Sequence, residues 1–254
     1  MKIKPRRLVV GNWKMNGLRE TLKEARHVND AISASNQLSL VDVILCPPAT
    51  LLISMSNELN LQVIRLGAQD CHTSLSGAYT GDISAEMLAD AGASAVIIGH
   101  SERRGDHSET DKDVLSKQIA VHRAGLLSIV CIGETLGQRQ ADLTTMVVER
   151  QLEMSLGQQS TSQNTVVAYE PVWAIGSGVT PSLKEVSEIH SVIRGHLKLR
   201  FKEDGTKMRI LYGGSVKPQN ARDLMALENV NGALVGGASL NAADFLSIIS
   251  ASLN

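Results

Sequence analysis

Short runs of β-branched and aliphatic residues recur along the chain at nearly even intervals. From the first run to the eighth the mean spacing is about 32 residues, which is the size of a strand-plus-helix unit. Such continuous apolar runs are typical of parallel strands that are covered on both faces. The predicted strands are residues 8–10, 41–46, 63–66, 95–98, 127–132, 165–169, 209–212 and 233–235.

The segments between the runs show helical periodicity. Thr180 and Pro181 are predicted to be the N-cap and first residue of one helix, and Pro218 to open a later helix in the same way. Alternating strands and helices also fit an open doubly wound sheet, but the count of eight favours a closed (β/α)8 TIM barrel, with residues 1–254 as one domain. The predicted helical faces are Leu18, Leu22, Ala25, Val28 and Ile32, and Leu183, Val186, Ile189, Ile193 and Leu197.

Composition and charge narrow the function classes. Hydrophobic residues make up 43% of the 254 positions and the formal net charge is −1, so nothing indicates a nucleic-acid or membrane-surface partner. The basic segment 1–7 leads into an apolar run too short for a signal peptide, and no run is long enough to span a membrane. The three cysteines are odd in number and lack a CxxC pair, so reduced thiols in a cytoplasmic enzyme are expected. Met55, Met87 and Met225 are expected to fill the core.

Polar and glycine residues follow the predicted strands, where barrels of this class place their active sites. Glycine turns after the seventh and eighth strands suit close approach of an anion, commonly phosphate. A carboxylate and a histidine on the same face suit acid–base chemistry. The sequence therefore predicts a phosphorylated ligand. The strand-end residues are Asn12, Lys14, Gln69, Asp70, His100, Ser101, Glu102, Glu134, Glu170, Gly213–Ser215 and Gly236–Gly237.

Five motifs in these strand ends resemble those of triosephosphate isomerases, in family order and from one end of the chain to the other. The resemblance implies interconversion of dihydroxyacetone phosphate and D-glyceraldehyde 3-phosphate through an enediolate, as in glycolysis and gluconeogenesis. It implies no metal and no organic cofactor. The motifs are Gly11–Asn16, Gly99–Arg104, Tyr169–Gly176, Tyr212–Val216 and Leu234–Ala238.

The resemblance also implies residue roles. Glu170 would be the base that moves a proton between C1 and C2, and His100 the electrophile that polarises the carbonyl. Lys14 would face the substrate's charge, with Asn12 beside it. Phosphate contacts would come from Gly176, Ser215, Gly236 and Gly237. Supporting positions would be Ser101, Glu102 and Cys131, with Cys131 packed beneath the site and Arg103–Arg104 structural.

Two loops are predicted to serve the site, one as a lid and one as a contact between subunits. Residues 171–178 join Pro-Val-Trp to Gly-Ser-Gly and are predicted to form a closing lid. Residues 71–82 are long for a strand-to-helix loop. The resemblance implies a homodimer, or a higher oligomer, in which Thr80 of this loop approaches the partner subunit's Asn12 and Lys14.

The chain departs from the usual family pattern at Asp70, Asp82, Ser177 and the stretch that includes Asp106 and His107. None of them removes a catalytic group, and two other functions stay open. One is an isomerase paralogue acting on a related short ketose phosphate, such as a tetrulose phosphate. The other is a catalytically silent barrel kept as a binding protein, against which the intact Lys14, His100 and Glu170 argue.

Overall fold

In the computed structural model, which describes residues 5–175 and 180–253, eight parallel strands close into a barrel in sequence order. The barrel is closed by pairing of the first strand with the last, in the register Leu8 to Gly232. The predicted closed (β/α)8 architecture is thus confirmed. The strands are β1 Leu8–Asn12, β2 Asp42–Cys46, β3 Arg65–Ala68, β4 Ala93–Ile98, β5 Leu127–Ile132, β6 Thr165–Tyr169, β7 Arg209–Tyr212 and β8 Gly232–Val235.

Helices on the outside connect the strands. The longest, α8, contains a kink at Lys202, whose φ is 54°. Short 3-10 turns lie at Arg19–Thr21, Leu38–Leu40, Val172–Ala174 and Gly237–Leu240. The helices are α1 Leu22–Ser33, α2 Ala49–Glu58, α3 Ala85–Asp90, α4 Ser101–Asp106, α5 Asp111–Arg123, α6 Leu136–Gln140, α7 Thr144–Ser155, α8 Leu183–Lys207, α9 Ala221–Ala226 and α10 Ala242–Ala251.

Several predicted boundaries were wrong because local hydrogen bonds outcompete propensity. The third strand starts at Arg65 rather than at residue 63, because Val63 and Ile64 donate their N–H groups to the carbonyl of Asn60 in a turn. Helix α8 is capped by Ser182, whose side chain forms a capping box with Glu185. The Thr180–Pro181 cap therefore lies two residues too early.

Other predicted core and cap positions also need correction. Leu18 is exposed ahead of α1 and Leu183 is 42% exposed, so neither belongs to the buried helical faces. Pro218 lies in the turn before α9, which begins only at Ala221. Met87 is 58% exposed, whereas Met55 and Met225 are buried as expected. Hydrophobic identity alone did not distinguish the outer surface of a helix from its inner one.

Side chains of alternate strand residues fill two apolar layers. One layer lies between the strands and the helices, and the other fills the barrel interior. Cys46 and Cys131 belong to the interior layer, and all three cysteines are free and buried. Within the described ranges, no helix combines the length and the apolar character needed to cross a membrane.

Closure of the barrel depends on a residue without a side chain at the seam between β1 and β8. Gly232 has φ +147°, and a Cβ there would lie 1.8 Å from the carbonyl oxygen of Leu8. We expect Gly232→Ala to lower the free energy of unfolding by about 3 kcal/mol or more, because the seam must separate. Denaturant unfolding measures the change.

The matched control is Gly195→Ala, at an exposed position inside α8 where a new Cβ meets nothing within 4 Å. This variant should be stabilised by about 0.5–1 kcal/mol, because alanine is the better helix former. Equal stability of the two variants would contradict this account of the seam.

Candidate active site

The carboxyl ends of the strands surround a cavity of about 700 Å³. It brings together side chains and backbone from β1, β4, β6, β7 and β8 that are far apart in the sequence. Within the described residues, most of the predicted catalytic and phosphate-contacting positions line it. Its lining includes Asn12, Lys14, His100, Glu102, Glu170, Gly213, Gly214, Ser215, Gly236 and Gly237.

Glu170 is the buried carboxylate of this cavity, directly after β6 and only 2% exposed. Its Oε1 lies 2.9 Å from Nε2 of His100, and its Oε2 accepts the N–H of Ser101 at 3.0 Å. Burial favours the neutral acid, but the interaction with His100, the hydrogen bond from Ser101 and the positive charge of Lys14 outweigh it and lower the pKa of Glu170. The side chain is therefore ionised at neutral pH and able to accept a proton.

His100 follows β4 and is the N-cap of α4, where its Nδ1 accepts the N–H of Glu102 at 3.2 Å. An accepting Nδ1 carries no proton, so the geometry assigns the neutral tautomer with hydrogen on Nε2. Burial lowers the pKa of His100, and the carboxylates of Glu170 and Glu102 raise it by more than burial lowers it. The ring can thus donate a proton from Nε2, and the two nearby carboxylates favour its reprotonation.

Lys14 brings a positive charge to the same cavity. Its Nζ lies 2.5 Å from Oε1 of Glu102. A Cβ placed on Gly236 would lie 3.4 Å from Cε of Lys14 and 3.9 Å from Nζ. The ammonium group therefore adjoins the glycine turn after β8, where the sequence predicted an anion. The N–H of Lys14 is accepted by Oδ1 of Asn12, the last residue of β1.

The two glycines that follow β7 have no room for side chains. A Cβ on Gly213 would lie 2.9 Å from Cγ of Glu170, and one on Gly214 would lie 2.3 Å from Oη of Tyr212. Ser215 follows, with its carbonyl held by Asn220 at 2.9 Å. These glycines keep the cavity open beside the carboxylate. Gly176, the remaining predicted phosphate contact, lies outside the described residues, as do Ser177 and Gly178 and thus the whole glycine-rich end of the predicted lid.

The predicted supporting residues lie close to Glu170. Cys131 is fully buried at the end of β5, and its burial, together with the nearby Glu170 charge, raises the pKa of its thiol. A thiol held protonated is a poor nucleophile. Arg104 donates to the carbonyls of Gly99 and Cys131 and pairs with Asp111 at 2.7 Å. It therefore fixes the β4 and β5 ends from behind the site, in agreement with a structural role.

Sequence reasoning placed Glu134 at a strand end but gave it no role. This fully buried carboxylate accepts from Oη of Tyr169 at 3.0 Å and from Nε1 of Trp173 at 2.8 Å. It thus anchors the residues on either side of Glu170. The preceding Gly133 is equally constrained, because a Cβ there would lie 1.7 Å from the carbonyl oxygen of Glu170. The sequence signal that could have revealed Glu134 is a charged residue just after a strand that neighbours the strand before Glu170.

The departures from the family pattern that fall within the described residues lie beside the cavity rather than in it. Asp70 contacts Nζ of Lys117 at 2.7 Å and a guanidinium nitrogen of Arg103 at 2.9 Å. Glu109 contacts the same two cations, so four charges neutralise one another. Asp82 lies 3.9 Å from Nε2 of His72. Among the described residues, His107 makes only a backbone hydrogen bond to Arg103 at the end of α4.

The long loop after β3 is closed at its base and exposed at its tip. His72 donates its N–H to the carbonyl of Ile83 at 2.8 Å, and its ring packs 4.1 Å from that of Tyr79. Thr80 is exposed and does not line the cavity of its own chain. Among the described residues, no group of three or more His, Cys, Asp or Glu side chains is arranged to hold a metal ion.

Comparison with known proteins agrees with this geometry. The family model described as "Triosephosphate isomerase" matches residues 7–252. The triosephosphate isomerase of Bradyrhizobium sp. (strain ORS 278) is 57% identical over 248 residues, with 97% of each chain covered. That of Rhizobium meliloti (strain 1021) is 52% identical over 243 residues, covering 96% of this chain and 94% of the relative.

A solved structure leads to the same assignment. The crystal structure of triosephosphate isomerase from Bartonella henselae superimposes with a TM-score of 0.90 at 47% identity, covering 97% of this chain and 98% of the other. These matches run over nearly the whole chain and include the barrel as well as its strand ends. On this basis the chain belongs to the triosephosphate isomerase family.

Proposed function

We propose that the protein interconverts dihydroxyacetone phosphate and D-glyceraldehyde 3-phosphate, using Glu170 as the base and His100 as the acid. The observation that carries the proposal is the 2.9 Å contact between a buried carboxylate and Nε2 of a histidine, in a cavity that also holds Lys14. A base and an acid must both lie within reach of the two adjacent reacting carbons. Family membership supports the triose substrate over a tetrulose phosphate.

In the proposed first step, the substrate carbonyl oxygen replaces Glu170 as the acceptor of the hydrogen bond from Nε2 of His100. The freed carboxylate removes a proton from C1 of dihydroxyacetone phosphate. The C1–H electrons form the C1–C2 double bond, and the carbonyl electrons move to oxygen, where His100 stabilises the enediolate. Glu170 then returns the proton to C2 while His100 relays the other proton between the oxygens. No metal or organic cofactor takes part.

The substrate phosphate would lie over the turns at Ser215 and at Gly236–Gly237, with Gly176 as a further proposed contact. The supporting observations are the lack of side-chain room at the glycines after β7 and the nearness of Lys14 to Gly236. A compact ammonium group suits a dianionic ligand. Asn12, Ser101, Glu102 and Cys131 would hold these groups in place.

We also propose that the whole chain, residues 1–254, forms one domain that works as a homodimer in the cytoplasm. Pairing of β1 with β8 supports one domain, since it uses strands near both ends of the chain. Three free thiols support a reducing compartment. Large apolar side chains are exposed in the loops after β1 and β3, among them Met15 at 97% and Leu75 at 56%. Their exposure supports burial of these loops against a second copy of the chain.

Replacing the proposed base should remove most of the activity without unfolding the barrel. Glu170→Gln is expected to lower kcat about 10²–10⁴-fold, because an amide cannot accept the carbon-bound proton. A coupled assay with triose phosphates measures the loss, and a tetrulose phosphate is tested alongside. Preferential turnover of the tetrulose phosphate would overturn the substrate assignment.

The control for this variant is Glu149→Gln, which makes the same change at an exposed position of α7 and should retain wild-type kcat. If Glu170→Gln stays within tenfold of the wild type, Glu170 is not the base. If the wild type turns over no substrate at all, the binding-protein hypothesis replaces the enzyme.

Removing the proposed phosphate-facing charge should weaken substrate binding as well as turnover. We expect Lys14→Ala to raise KM about 10–100-fold and to lower kcat, since charge-assisted hydrogen bonds contribute about 1.5–3 kcal/mol. The control is Lys207→Ala, which removes an exposed ammonium at the end of α8. An unchanged KM for Lys14→Ala would show that this side chain does not contact the phosphate.

The proposed assembly is tested by mass and by activity together. Sedimentation velocity at micromolar concentration should give twice the chain mass of 27.3 kDa. Shortening the exposed loop around Leu75 to Thr80 should yield monomers with much lower activity, because the partner's loop would no longer support Lys14. A wild-type monomer with full activity would contradict both parts.

A further inference from the structure

The backbone of Lys14 is held in an uncommon conformation. Its φ is +52°, in the left-handed region that residues other than glycine seldom adopt. Such a conformation persists only where the surroundings impose it. Both peptide groups of Lys14 are in fact bonded to side chains rather than to a strand partner. On one side its N–H is accepted by Oδ1 of Asn12 at 3.0 Å.

On the other side the carbonyl of Lys14 accepts a hydrogen bond from Gln69, which follows β3. Nε2 of Gln69 lies 2.9 Å from the oxygen of Lys14 and 2.8 Å from that of Cys46, the last residue of β2. An amide nitrogen has two hydrogens, and here both have carbonyl acceptors. Because two acceptors face this atom, the amide cannot be flipped without losing both bonds. One side chain therefore joins the ends of β1, β2 and β3.

The direction of the Lys14 side chain depends on this arrangement. Lysine is long and flexible, and its backbone conformation sets the direction of the Cα–Cβ bond from which every rotamer extends. In the bonded conformation Nζ lies 2.5 Å from Glu102 and beside Gly236. A different φ at Lys14 would turn its Cα–Cβ bond away from that position.

We propose that Gln69 is a positioning residue for Lys14: its amide hydrogens hold the left-handed backbone that places the ammonium group at the proposed phosphate site. The proposal rests on the isomerase function given above. Gln69 itself need not touch the substrate. Its part is to keep Lys14 ready before the substrate arrives, so that little ordering is needed on binding.

A purely structural role must be distinguished, because Gln69 is only half-buried and also lines the groove beside Asp70 and Lys117. A structural defect would lower stability or the dimer fraction and would act on every substrate interaction. A positioning defect would act through Lys14 alone. It would also depend on whether the side chain at position 69 carries a hydrogen to donate.

Gln69→Glu tests the dependence on a donated hydrogen, because glutamate keeps the shape of the glutamine side chain. An ionised glutamate has no hydrogen to donate, whereas a protonated one can donate a single hydrogen. We expect kcat/KM of this variant to be about tenfold below the wild type near pH 8, mainly through KM. The ratio to the wild type should recover only as the pH falls toward about 4.3, the ordinary pKa of a glutamic acid.

Two further variants separate the loss of the hydrogen-bond donor from the addition of a negative charge. Gln69→Leu lacks a donor at every pH, so its deficit should be constant across the same pH range. Gln62→Glu adds the same charge at an exposed position before the other end of β3 and should leave kcat/KM unchanged. All are assayed at concentrations where sedimentation gives the same mass for variant and wild type.

A double-mutant cycle with Lys14→Ala gives the decisive comparison. In the Lys14→Ala background, Gln69→Glu and Gln69→Leu should each change kcat/KM less than twofold, because the group they position is gone. Tenfold effects that persist in that background would overturn the proposal, as would Gln69 variants with wild-type KM. These failures are distinct from failure of the proposed function, in which the wild type itself would not turn over triose phosphate.

Discussion

The site depends on stabilising one carboxylate away from water. Glu170 is almost completely buried, and an ion in such a place requires hydrogen-bond donors. Both donors, Nε2 of His100 and the N–H of Ser101, come from the start of α4, two strands away around the barrel. The ends of β4, β5 and β6 must therefore keep a fixed register.

That register is what the surrounding sequence protects. Ile132 at the end of β5 pairs with Tyr169, directly before the carboxylate. Gly133 then lets the Glu170 carbonyl approach, and Glu134 bonds to Tyr169 and Trp173 from the outside. The position of Glu170 is thus stabilised by a second set of contacts, made by residues that do not line the cavity. Substitutions there should alter the site without touching it.

The charges around the cavity form two separate groups. Inside it, Lys14 pairs with Glu102, and its ammonium group also adjoins the glycine turn after β8, where an anionic ligand would meet it. Beside it, Asp70 and Glu109 are each paired with Arg103 and Lys117. Pairing the second group internally prevents those two cations from competing with Lys14 for the ligand. Asp70, a departure from the family pattern, completes that neutralisation.

Much of the fold was readable from the sequence, and the exceptions have physical causes. Strands β5, β6 and β7 lie where their apolar runs predicted, because each run ends at a glycine or a charged residue, namely Gly133, Glu170 and Gly213. The end of β3 was hidden, since Gly67 and Ala68 lack strand propensity. Motif order singled out Glu170, His100 and Lys14, which the structure brings together in one cavity. The parts of Glu134 and Gln69 could not be read, because both depend on hydrogen bonds across neighbouring strand ends.

The central claim is that a single base moves a carbon-bound proton by way of an enediolate. The most direct measurement is isomerisation of dihydroxyacetone phosphate in D₂O, with the product trapped and its deuterium content at C2 determined by mass spectrometry. A carboxylate that holds the proton during the reaction can exchange it with solvent, so the account predicts deuterium at C2 of the trapped glyceraldehyde 3-phosphate. Complete retention of the original hydrogen, as in a direct hydride shift between the carbons, would contradict it.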